Sequence, residues 1–269
     1  MDFLKDTIDV DLKGIKIAVD CGNGAVSKAA PELLQELGAQ VYVIHNDPNG
    51  ININVNCGST RPEEIQRLVL ETGADVGLSF DGDADRLIAS DENGNIVDGD
   101  HVLAICGSHM KEKGILKSNT IVGTVMTNMG LDICLREKNI DIVKTKVGDR
   151  YVLEEMIKGH HSIGGEQSGH IIFLDYNTTG DGLLTAIQLI SVMKEKNTKL
   201  SKLAGMMKVM PQVLVNAHVS EDKKKSYLDD EVIKNKIEEI EEFFHGNGRV
   251  LIRPSGTEPL GRVMIEGEN

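Results

Sequence analysis

The feature that most constrains the fold is a regular alternation of short apolar runs with longer amphipathic segments. Apolar runs at 15–19, 41–44 and 76–80 have the length of buried strands. The segments 25–37 and 62–72, which separate them, carry apolar residues at helical spacing. Strands that alternate with helices in this way predict a largely parallel sheet covered by helices, which is the α/β class.

The same alternation restarts near residue 117, with strand-like runs at 120–125 and 142–144. After Pro211 the pattern changes to a strand, a highly charged helix and a hairpin-like end. We therefore expect two similar three-layer α/β domains followed by a small C-terminal α+β domain, at residues 1–116, 117–210 and 211–269.

The composition excludes several classes of protein. The formal net charge is -13, from 42 acidic and 29 basic residues, which argues against nucleic acid as a partner because such proteins need a basic face. The sequence contains no CxxC pair, which would have suggested zinc or redox chemistry. No apolar run approaches the ~20 residues that span a bilayer. A cytoplasmic protein without a membrane segment is expected, and a small phosphorylated substrate remains compatible with this charge.

Three carboxylates at alternate positions, Asp81, Asp83 and Asp85, predict a divalent metal site. In an extended loop, alternate side chains project to one side, so three hard oxygen ligands can converge on one cation. A solvated acidic turn is the plainer alternative. A calcium EF-hand loop is rejected because its sixth position, which needs Gly, is Arg86 here. Beside a metal, Arg86 is better placed to meet a phosphate or a developing charge.

A second candidate site is an anion cradle in the segment 253–259, RPSGTEP. Arg253 offers a bidentate fork, Ser255 and Thr257 offer hydroxyl donors, and Gly256 lets backbone N–H groups approach an oxyanion. A plain turn between two strands would favour the same proline and glycine residues, so both interpretations stay open.

Two further loops carry polar groups suited to a sugar phosphate. The segment 164–170, GGEQSGH, combines a carboxylate, an amide, a hydroxyl and an imidazole, which suits a ligand with many hydroxyl groups. His170 could equally be a buried core histidine. The segment 145–150, TKVGDR, lies between a strand and a helix, where anions bind readily, although a simple helix cap explains it as well.

In this order, DGDADR, TKVGDR, GGEQSGH and RPSGTEP resemble the motifs of the α-D-phosphohexomutase family, over nearly the whole chain. GEQSGH, VMTNMGLD (125–132) and TTGDGL (178–183) are most similar to the branch of the family that acts on glucosamine phosphates. The resemblance implies interconversion of glucosamine 6-phosphate and glucosamine 1-phosphate. There are two alternatives. One is a phosphomannomutase or phosphoglucomutase, and the other is a module that binds a sugar phosphate and magnesium without catalysis.

The resemblance also implies roles for individual residues. It implies that Asp81, Asp83 and Asp85 bind Mg²⁺, and that Glu166 and Ser168 hold sugar hydroxyls. Arg253, Ser255, Gly256 and Thr257 would grip the phosphate that is not transferred. Gly148, Asp149 and Arg150 would line the cleft, and Arg86 and His170 would lie near the reacting groups. The residues alone leave the general acid or base open among His170, Lys146 and Asp149.

One departure from the family pattern concerns the nucleophile. The family carries a phosphoserine in a T-A-S-H-N-P type loop of its first domain, and no such string occurs in these 269 residues. The chain is therefore expected to correspond to domains two to four, to be inactive alone and to need an N-terminal domain. A cation in the aspartate loop should then be weakly held and completed by water. The expected partner is a hexosamine phosphate, and neither nucleic acid nor a membrane is expected to bind. The oligomeric state is left open, with a homodimer as one option.

Overall fold

A computed structural model describes residues 1–220, 229–245, 247–254 and 260–268 of the chain. The chain forms two units, Met1–Lys208 and Val209–Asn269, and each is described separately below.

The first sheet of the larger unit has a central parallel trio of strands extended by an antiparallel hairpin. Its strands are β1 (Lys16–Asp20), β2 (Gln40–Ile44), β3 (Val76–Phe80), β4 (Leu87–Asp91) and β5 (Ile96–Val97), and they lie in the order β2-β1-β3-β4-β5. β1 pairs in parallel with β2 and β3, whereas β4 is antiparallel to β3 and to β5. The helices of this part are α1 (Asp2–Lys5), α2 (Val26–Glu36) and α3 (Glu63–Thr72).

The second sheet repeats this arrangement with four strands. They are β6 (Thr120–Thr124), β7 (Asp141–Thr145), β8 (Ile163–Gly165) and β9 (Ile171–Phe173), in the order β7-β6-β8-β9. β6 pairs in parallel with β7 and β8, and β9 is antiparallel to β8. The helices are α4 (Gly99–Glu112), α5 (Met129–Glu137), α6 (Asp149–Gly159), α7 (Gly182–Lys196) and α8 (Leu200–Ala204), with a 3₁₀ turn at Lys117–Asn119.

The shared strand order makes two loops equivalent. The connection 81–86 between β3 and β4 and the connection 166–170 between β8 and β9 both join the third and fourth strands of their sheets. The aspartate loop and the polar GEQSGH loop therefore occupy the same topological position in two successive sheets, and the prediction of two similar α/β layers is confirmed.

One hydrophobic core extends through both sheets. α7 packs against β4 of the first sheet and β9 of the second, and α4 packs against β5, β8 and α7. Nearly every residue of α7 from Gly182 to Met193 is buried, as expected for a helix covered on all sides. Because the two sheets share these helices, the loops at their edges are held in a fixed relation.

The smaller unit is the predicted α+β arrangement. Its strands β10 (Gln212–His218), β11 (Gly248–Pro254) and β12 (Leu260–Gly267) form an antiparallel sheet in the order β10-β12-β11, and α9 (Glu231–Phe243) packs against β11. Asp230 caps α9 by accepting the N–H groups of Val232 and Ile233. Within the ranges given above, no helix combines the length and the apolar character that crossing a bilayer requires.

The elements differ from the sequence expectations mainly around the GEQSGH loop. The sequence predicts only a polar loop over 164–170, whereas residues 164–165 belong to strand β8 and residues 166–170 form a tight connection to strand β9. Each strand has only a three-residue ladder, which is too short to give a period-two pattern in the sequence. The division of the first 210 residues at position 116 stays a prediction.

Candidate functional site

The aspartate loop is a hairpin connection whose backbone turns sharply. Buried Phe80 ends β3 and buried Leu87 begins β4, so both ends of the loop are fixed by the core. Ala84 adopts a left-handed conformation with φ of 66°, which curls the backbone between its flanking aspartates. The loop is closed by the N–H of Arg86, which donates to Oδ1 of Asp81 at 3.2 Å.

The three carboxylates converge as predicted. One oxygen from each of Asp81, Asp83 and Asp85 lies within 4.8 Å of the other two. Among the described atoms, Oδ1 of Asp85 is buried without a hydrogen-bond partner. An all-oxygen donor set with a buried oxygen left unbonded fits a hard divalent cation such as Mg²⁺.

The electrostatics of the loop point the same way. The pKa of Asp81 is raised from 3.8 to about 6, first because burial disfavours the charged carboxylate and then because Asp85 and Asp83 add negative charge nearby. The N–H bond from Arg86 acts in the opposite direction and lowers this pKa. Without a cation, the folded loop therefore holds on to a proton up to about pH 6, and above that pH it carries closely spaced negative charges that a divalent ion would offset.

This pKa gives a pH-dependent prediction for the metal-free chain. The folded pKa of Asp81 exceeds its unfolded value, so its favourable contribution is present below pH 3.8 and is lost as pH rises through about 6. With EDTA present, the wild type should lose stability relative to Asp81→Asn over that window, by about 1 kcal/mol after allowance for solvent screening. Urea unfolding of both proteins at several pH values measures the difference.

Asp11 provides the control for this prediction. Its pKa is lowered, mainly by hydrogen bonds with Lys13, so Asp11→Asn should shift the pH dependence with the opposite sign. A stability difference between the wild type and Asp81→Asn that does not change with pH would contradict the raised pKa.

Arg86 connects the aspartate loop to the GEQSGH loop. Its Nε lies 3.8 Å from Asp81 Oδ2 and 3.9 Å from Asp85 Oδ1, and its side chain is 44% exposed. Its backbone forms an antiparallel β-bridge with His170, and the next N–H, of Leu87, donates to the carbonyl of Gly169 at 3.1 Å. The two equivalent loops of the two sheets thus pair with each other at their last residues.

His170 is buried between these loops. Its ring Nε2 accepts the N–H of Gly180 at 3.2 Å and lies 3.6 Å from Asp85 Oδ2. Accepting that N–H requires Nε2 to be unprotonated, so the proton of a neutral ring lies on Nδ1. Nδ1 is buried and makes no hydrogen bond to any described residue. His170 therefore stays a candidate for proton transfer, although its acceptor nitrogen Nε2 is already bonded to the N–H of Gly180.

Glycines allow the backbone segments to approach so closely. A Cβ on Gly169 would lie 2.2 Å from the Leu87 carbonyl oxygen, and one on Gly180 would lie 2.4 Å from the His170 ring. The N–H of Gly182 donates to the carbonyl of Ala84 at 2.9 Å, which ties the start of α7 to the aspartate loop. The segment 178–183 thus supports the site, a role that its sequence signalled only through its paired glycines.

Glu166 joins the GEQSGH and TKVGDR loops. Its Oε1 accepts the N–H of Gly148 at 3.0 Å, in front of the first turn of α6. Gly148 has a φ of 131°, which a residue with a side chain adopts rarely, so this approach depends on glycine. The structure therefore brings Glu166 and Gly148 together, as expected if both line one cleft.

Four other polar residues of these two loops are exposed to solvent. Lys146, Asp149, Arg150 and Ser168 are all exposed. Asp149 begins α6 and its Oδ1 accepts the N–H of Arg150, whereas the Arg150 side chain pairs with Glu154 at 2.7 Å. Their predicted roles toward a substrate stay predictions.

A support for the GEQSGH loop was not predicted from the sequence. Asp98 caps α4 and accepts the side-chain amide of Gln167 at 3.2 Å, and the N–H of Gly99 donates to the Gln167 carbonyl at 3.0 Å. A Cβ on Gly99 would lie 2.0 Å from the Glu166 carbonyl oxygen. The segment Asp98-Gly99-Asp100 is typical of an ordinary helix start, and nothing in it indicates a contact with the GEQSGH loop.

In the smaller unit, only part of the predicted anion cradle can be described. Arg253 lies on β11, paired with Arg262 of β12, and is partly buried. Ser255, Gly256 and Thr257 lie outside the described residues, so their role stays a prediction.

Family comparisons cover almost the whole chain. Residues 1–94 match the model for phosphoglucomutase/phosphomannomutase alpha/beta/alpha domain II, and residues 98–210 match that for alpha/beta/alpha domain III. Residues 214–269 match the model for the C-terminal domain of the same enzymes.

Among curated proteins, the chain is similar to bacterial phosphoglucosamine mutases. It is 64% identical over 268 residues to that of Alkaliphilus oremlandii, and 62% identical over 269 residues to that of a Thermoanaerobacter strain. These matches cover 100% of the chain but 60% of each relative, so the chain spans about three fifths of their length.

Solved structures share the fold at low sequence identity. A phosphoglucomutase/phosphomannomutase family protein from Burkholderia thailandensis superposes with a TM-score of 0.81 at 22% identity, over 100% of this chain and 59% of that one. Aspergillus fumigatus N-acetylphosphoglucosamine mutase, solved in complex with GlcNAc-6P and magnesium, gives 0.80 at 21% identity, over 100% and 61%.

Proposed function

The chain belongs to the phosphoglucomutase/phosphomannomutase family of phosphohexomutases, and from this premise we propose that it is the metal- and sugar-binding part of a phosphoglucosamine mutase. The proposed reaction interconverts glucosamine 6-phosphate and glucosamine 1-phosphate through a phosphoserine carried outside these 269 residues. Identity of 64% to phosphoglucosamine mutases along the full chain supports this choice within the family.

The observation that carries the proposal is the pairing of the aspartate loop with the GEQSGH loop. The β-bridge between Arg86 and His170 and the bond from Leu87 N–H to the Gly169 carbonyl hold the three-aspartate loop against the polar GEQSGH loop. This contact supports a cation site beside a sugar-binding loop. A mutase must hold a charged phosphoryl group and a sugar ring in one fixed geometry, because positioning accounts for much of the rate of phosphoryl transfer.

Asp81, Asp83 and Asp85 would hold Mg²⁺, which when bound offsets negative charge on the phosphoryl group. Arg86 adds a guanidinium next to the same loop and suits phosphate oxygens. Glu166 would orient the sugar. Its Oε1 accepts the N–H of Gly148, and its other carboxylate oxygen would accept a sugar hydroxyl.

The remaining assignments complete the proposal. Ser168 would hold a second sugar hydroxyl, Gly148, Asp149 and Arg150 would line the cleft, and Arg253 with Ser255, Gly256 and Thr257 would bind the phosphate that stays in place. His170, Lys146 and Asp149 remain the candidates for the general acid or base. We propose domains at 1–116, 117–210 and 211–269, and a cytoplasmic setting, where sugar phosphates are made and used.

Reconstitution tests this function. The purified chain, mixed with Mg²⁺ and glucosamine 6-phosphate, should give no glucosamine 1-phosphate detectable by phosphorus NMR. Addition in trans of the N-terminal part of a phosphoglucosamine mutase relative, carrying its phosphoserine, should produce the 1-phosphate. Glucose and mannose phosphates, run in parallel, should turn over more slowly.

Each other outcome points elsewhere. Equal or faster turnover of mannose or glucose phosphates would favour the phosphomannomutase or phosphoglucomutase alternative. Turnover by the chain alone would contradict the external phosphoserine. Failure with every sugar phosphate, although the mixture is shown to form a complex, would leave the non-catalytic binding module.

A further inference from the structure

A second cluster of potential ligands lies at the ends of the first two strands. Asp20 is the last residue of β1, His45 directly follows β2, and Cys57 lies in the loop before α3. One ligand atom from each, a carboxylate oxygen, a ring nitrogen and a sulfur, lies within 4.8 Å of the other two. Asp20 and Cys57 are fully buried, and the His45 side chain is 30% exposed.

Asp20 is held rigidly in this cluster. Its Oδ1 accepts the N–H of Gly22 and its Oδ2 accepts that of Gly58, both at 2.9 Å. These bonds stabilise two turns with positive φ, which gives Asp20 a structural role by itself. That role does not require an imidazole and a thiol at the same point.

The His45 ring nitrogen is the unexplained atom. Nδ1 lies 3.0 Å from Asp20 Oδ1, yet it is buried and makes no hydrogen bond within the described part of the chain. Asp20 is therefore an electrostatic neighbour that leaves the hydrogen bonding of this nitrogen incomplete. A buried polar nitrogen with incomplete hydrogen bonding is costly unless an ion, water or other group completes it. The carboxylate and the thiol that share the cluster with His45 are both metal ligands, which favours an ion.

The donor set indicates which ion. Sulfur, imidazole nitrogen and carboxylate oxygen together are typical of zinc sites, whereas Mg²⁺ prefers oxygen donors alone. We propose that Asp20, His45 and Cys57 form a second cation site for a thiophilic divalent ion such as Zn²⁺, separate from the all-oxygen loop of Asp81, Asp83 and Asp85. Partial exposure of His45 gives the ion a route in and leaves a fourth position for water.

Binding of the cation to Cys57 releases one proton. Burial, and then the charge of Asp20, raises the pKa of the Cys57 thiol, so the sulfur is protonated when no cation is bound. On binding, the S–H proton passes to solvent and the thiolate bonds to the metal, with no change of oxidation state.

The site touches the strand that leads to the aspartate loop. A Cβ on Gly58 would lie 2.5 Å from the Phe80 carbonyl oxygen, and the N–H of Ser59 donates to that same oxygen at 3.0 Å. A cation that fixes Cys57 therefore fixes the turn packed against the end of β3. Zn²⁺ should raise the melting temperature of the wild type and have no such effect on Cys57→Ala.

Cobalt substitution tests the site directly. Co²⁺ added to the purified, reduced 269-residue chain should give the near-ultraviolet charge-transfer absorption of a cobalt–thiolate bond. Cys57→Ala should abolish the band. His45→Ala, which removes a direct ligand, should weaken the competing Zn²⁺ affinity by about 100-fold or more, since even loss of an outer-shell partner costs about 10–100-fold. The matched control is Cys134→Ala, which removes a buried thiol elsewhere and should keep the band.

A double variant separates this site from the proposed magnesium site. Asp83→Asn/Asp85→Asn should leave the cobalt–thiolate band unchanged whatever it does to Mg²⁺ binding. No band in the wild type, a band that persists in Cys57→Ala, or one that disappears equally in Cys134→Ala would overturn the proposal. Because the first of these concerns the wild type, a variant that fails to fold cannot rescue the idea.

Discussion

Gly169→Ala should destabilise the larger unit by about 3 kcal/mol or more, the scale of severe overpacking combined with backbone strain. A Cβ at this position would lie 2.2 Å from the carbonyl oxygen of Leu87, and φ at Gly169 is +93°. The obstacle is the backbone of a buried strand, which cannot rotate aside as a flexible side chain can. Relief requires the two loops to separate, which breaks the bond from Leu87 N–H to the Gly169 carbonyl.

Urea unfolding followed by far-UV circular dichroism measures this loss, and Gly114→Ala is its control. Gly114 also has a positive φ, +71°, but nothing lies within 4 Å of a Cβ placed there. Its substitution should cost only the strain of the left-handed conformation, about 1 kcal/mol. If the two variants lose equal stability, the close approach of the two loops is not as described.

The contact between Gly169 and Leu87 shows which parts of the fold could be predicted from the sequence and which could not. The alternation of strands and helices predicted both sheets, and the apolar run at 76–80 correctly placed the aspartate loop at the end of a strand. These signals are local, because burial on a sheet sets the pattern of residues next to each other. The pairing of Gly169 with Leu87 depends on how two sheets share α4 and α7, which no local pattern encodes.

The candidate site divides in the same way. Convergence of Asp81, Asp83 and Asp85 could be predicted from their alternate spacing. The left-handed turn at Ala84, which curls the loop, could not. The bond between Glu166 and Gly148, and the N–H that Gly180 donates to His170, join segments whose local sequences give no hint of each other. The sequence therefore identified candidate groups, and the tertiary structure decided which of them contact one another.

The Asp20, His45 and Cys57 cluster is the extreme case. Its members come from the end of one strand and from two separate loops, with no spacing typical of a zinc motif, so a search for paired cysteines does not find it. Only the parallel pairing of β1 with β2, which brings the ends of both strands to one edge, places Asp20 beside His45.

Asp83→Asn/Asp85→Asn should reduce the affinity of the chain for Mn²⁺, used as a spectroscopic substitute for Mg²⁺, by about 100-fold, or ~2.7 kcal/mol. The substitution removes two negative charges and two strong oxygen donors but keeps the shape of both side chains. Asp81 remains to accept the N–H of Arg86, so the loop should stay closed. Electron paramagnetic resonance of free Mn²⁺ during titration measures the affinity.

The same variant should unfold at a higher urea concentration than the wild type in EDTA. Burial and the neighbouring carboxylates raise the pKa of Asp81, which shows that the metal-free loop holds unfavourable negative charge. Removal of two charges relieves it. Opposite effects on metal affinity and on metal-free stability would distinguish a cation site from an acidic turn that is simply solvated, for which neither quantity should change much.

Glu92→Gln is the matched control for this experiment, because Glu92 occupies the twelfth position that an EF-hand loop would use. In the structure its carboxylate is engaged elsewhere, with Oε1 accepting the hydroxyl of Ser201 at 2.5 Å and Oε2 accepting the Ser201 N–H at 3.2 Å. Its neutralisation should therefore leave Mn²⁺ affinity unchanged. A large loss of affinity in Glu92→Gln, with little loss in the double variant, would mean that the cation is held by a different set of oxygens and that the proposed magnesium site is wrong.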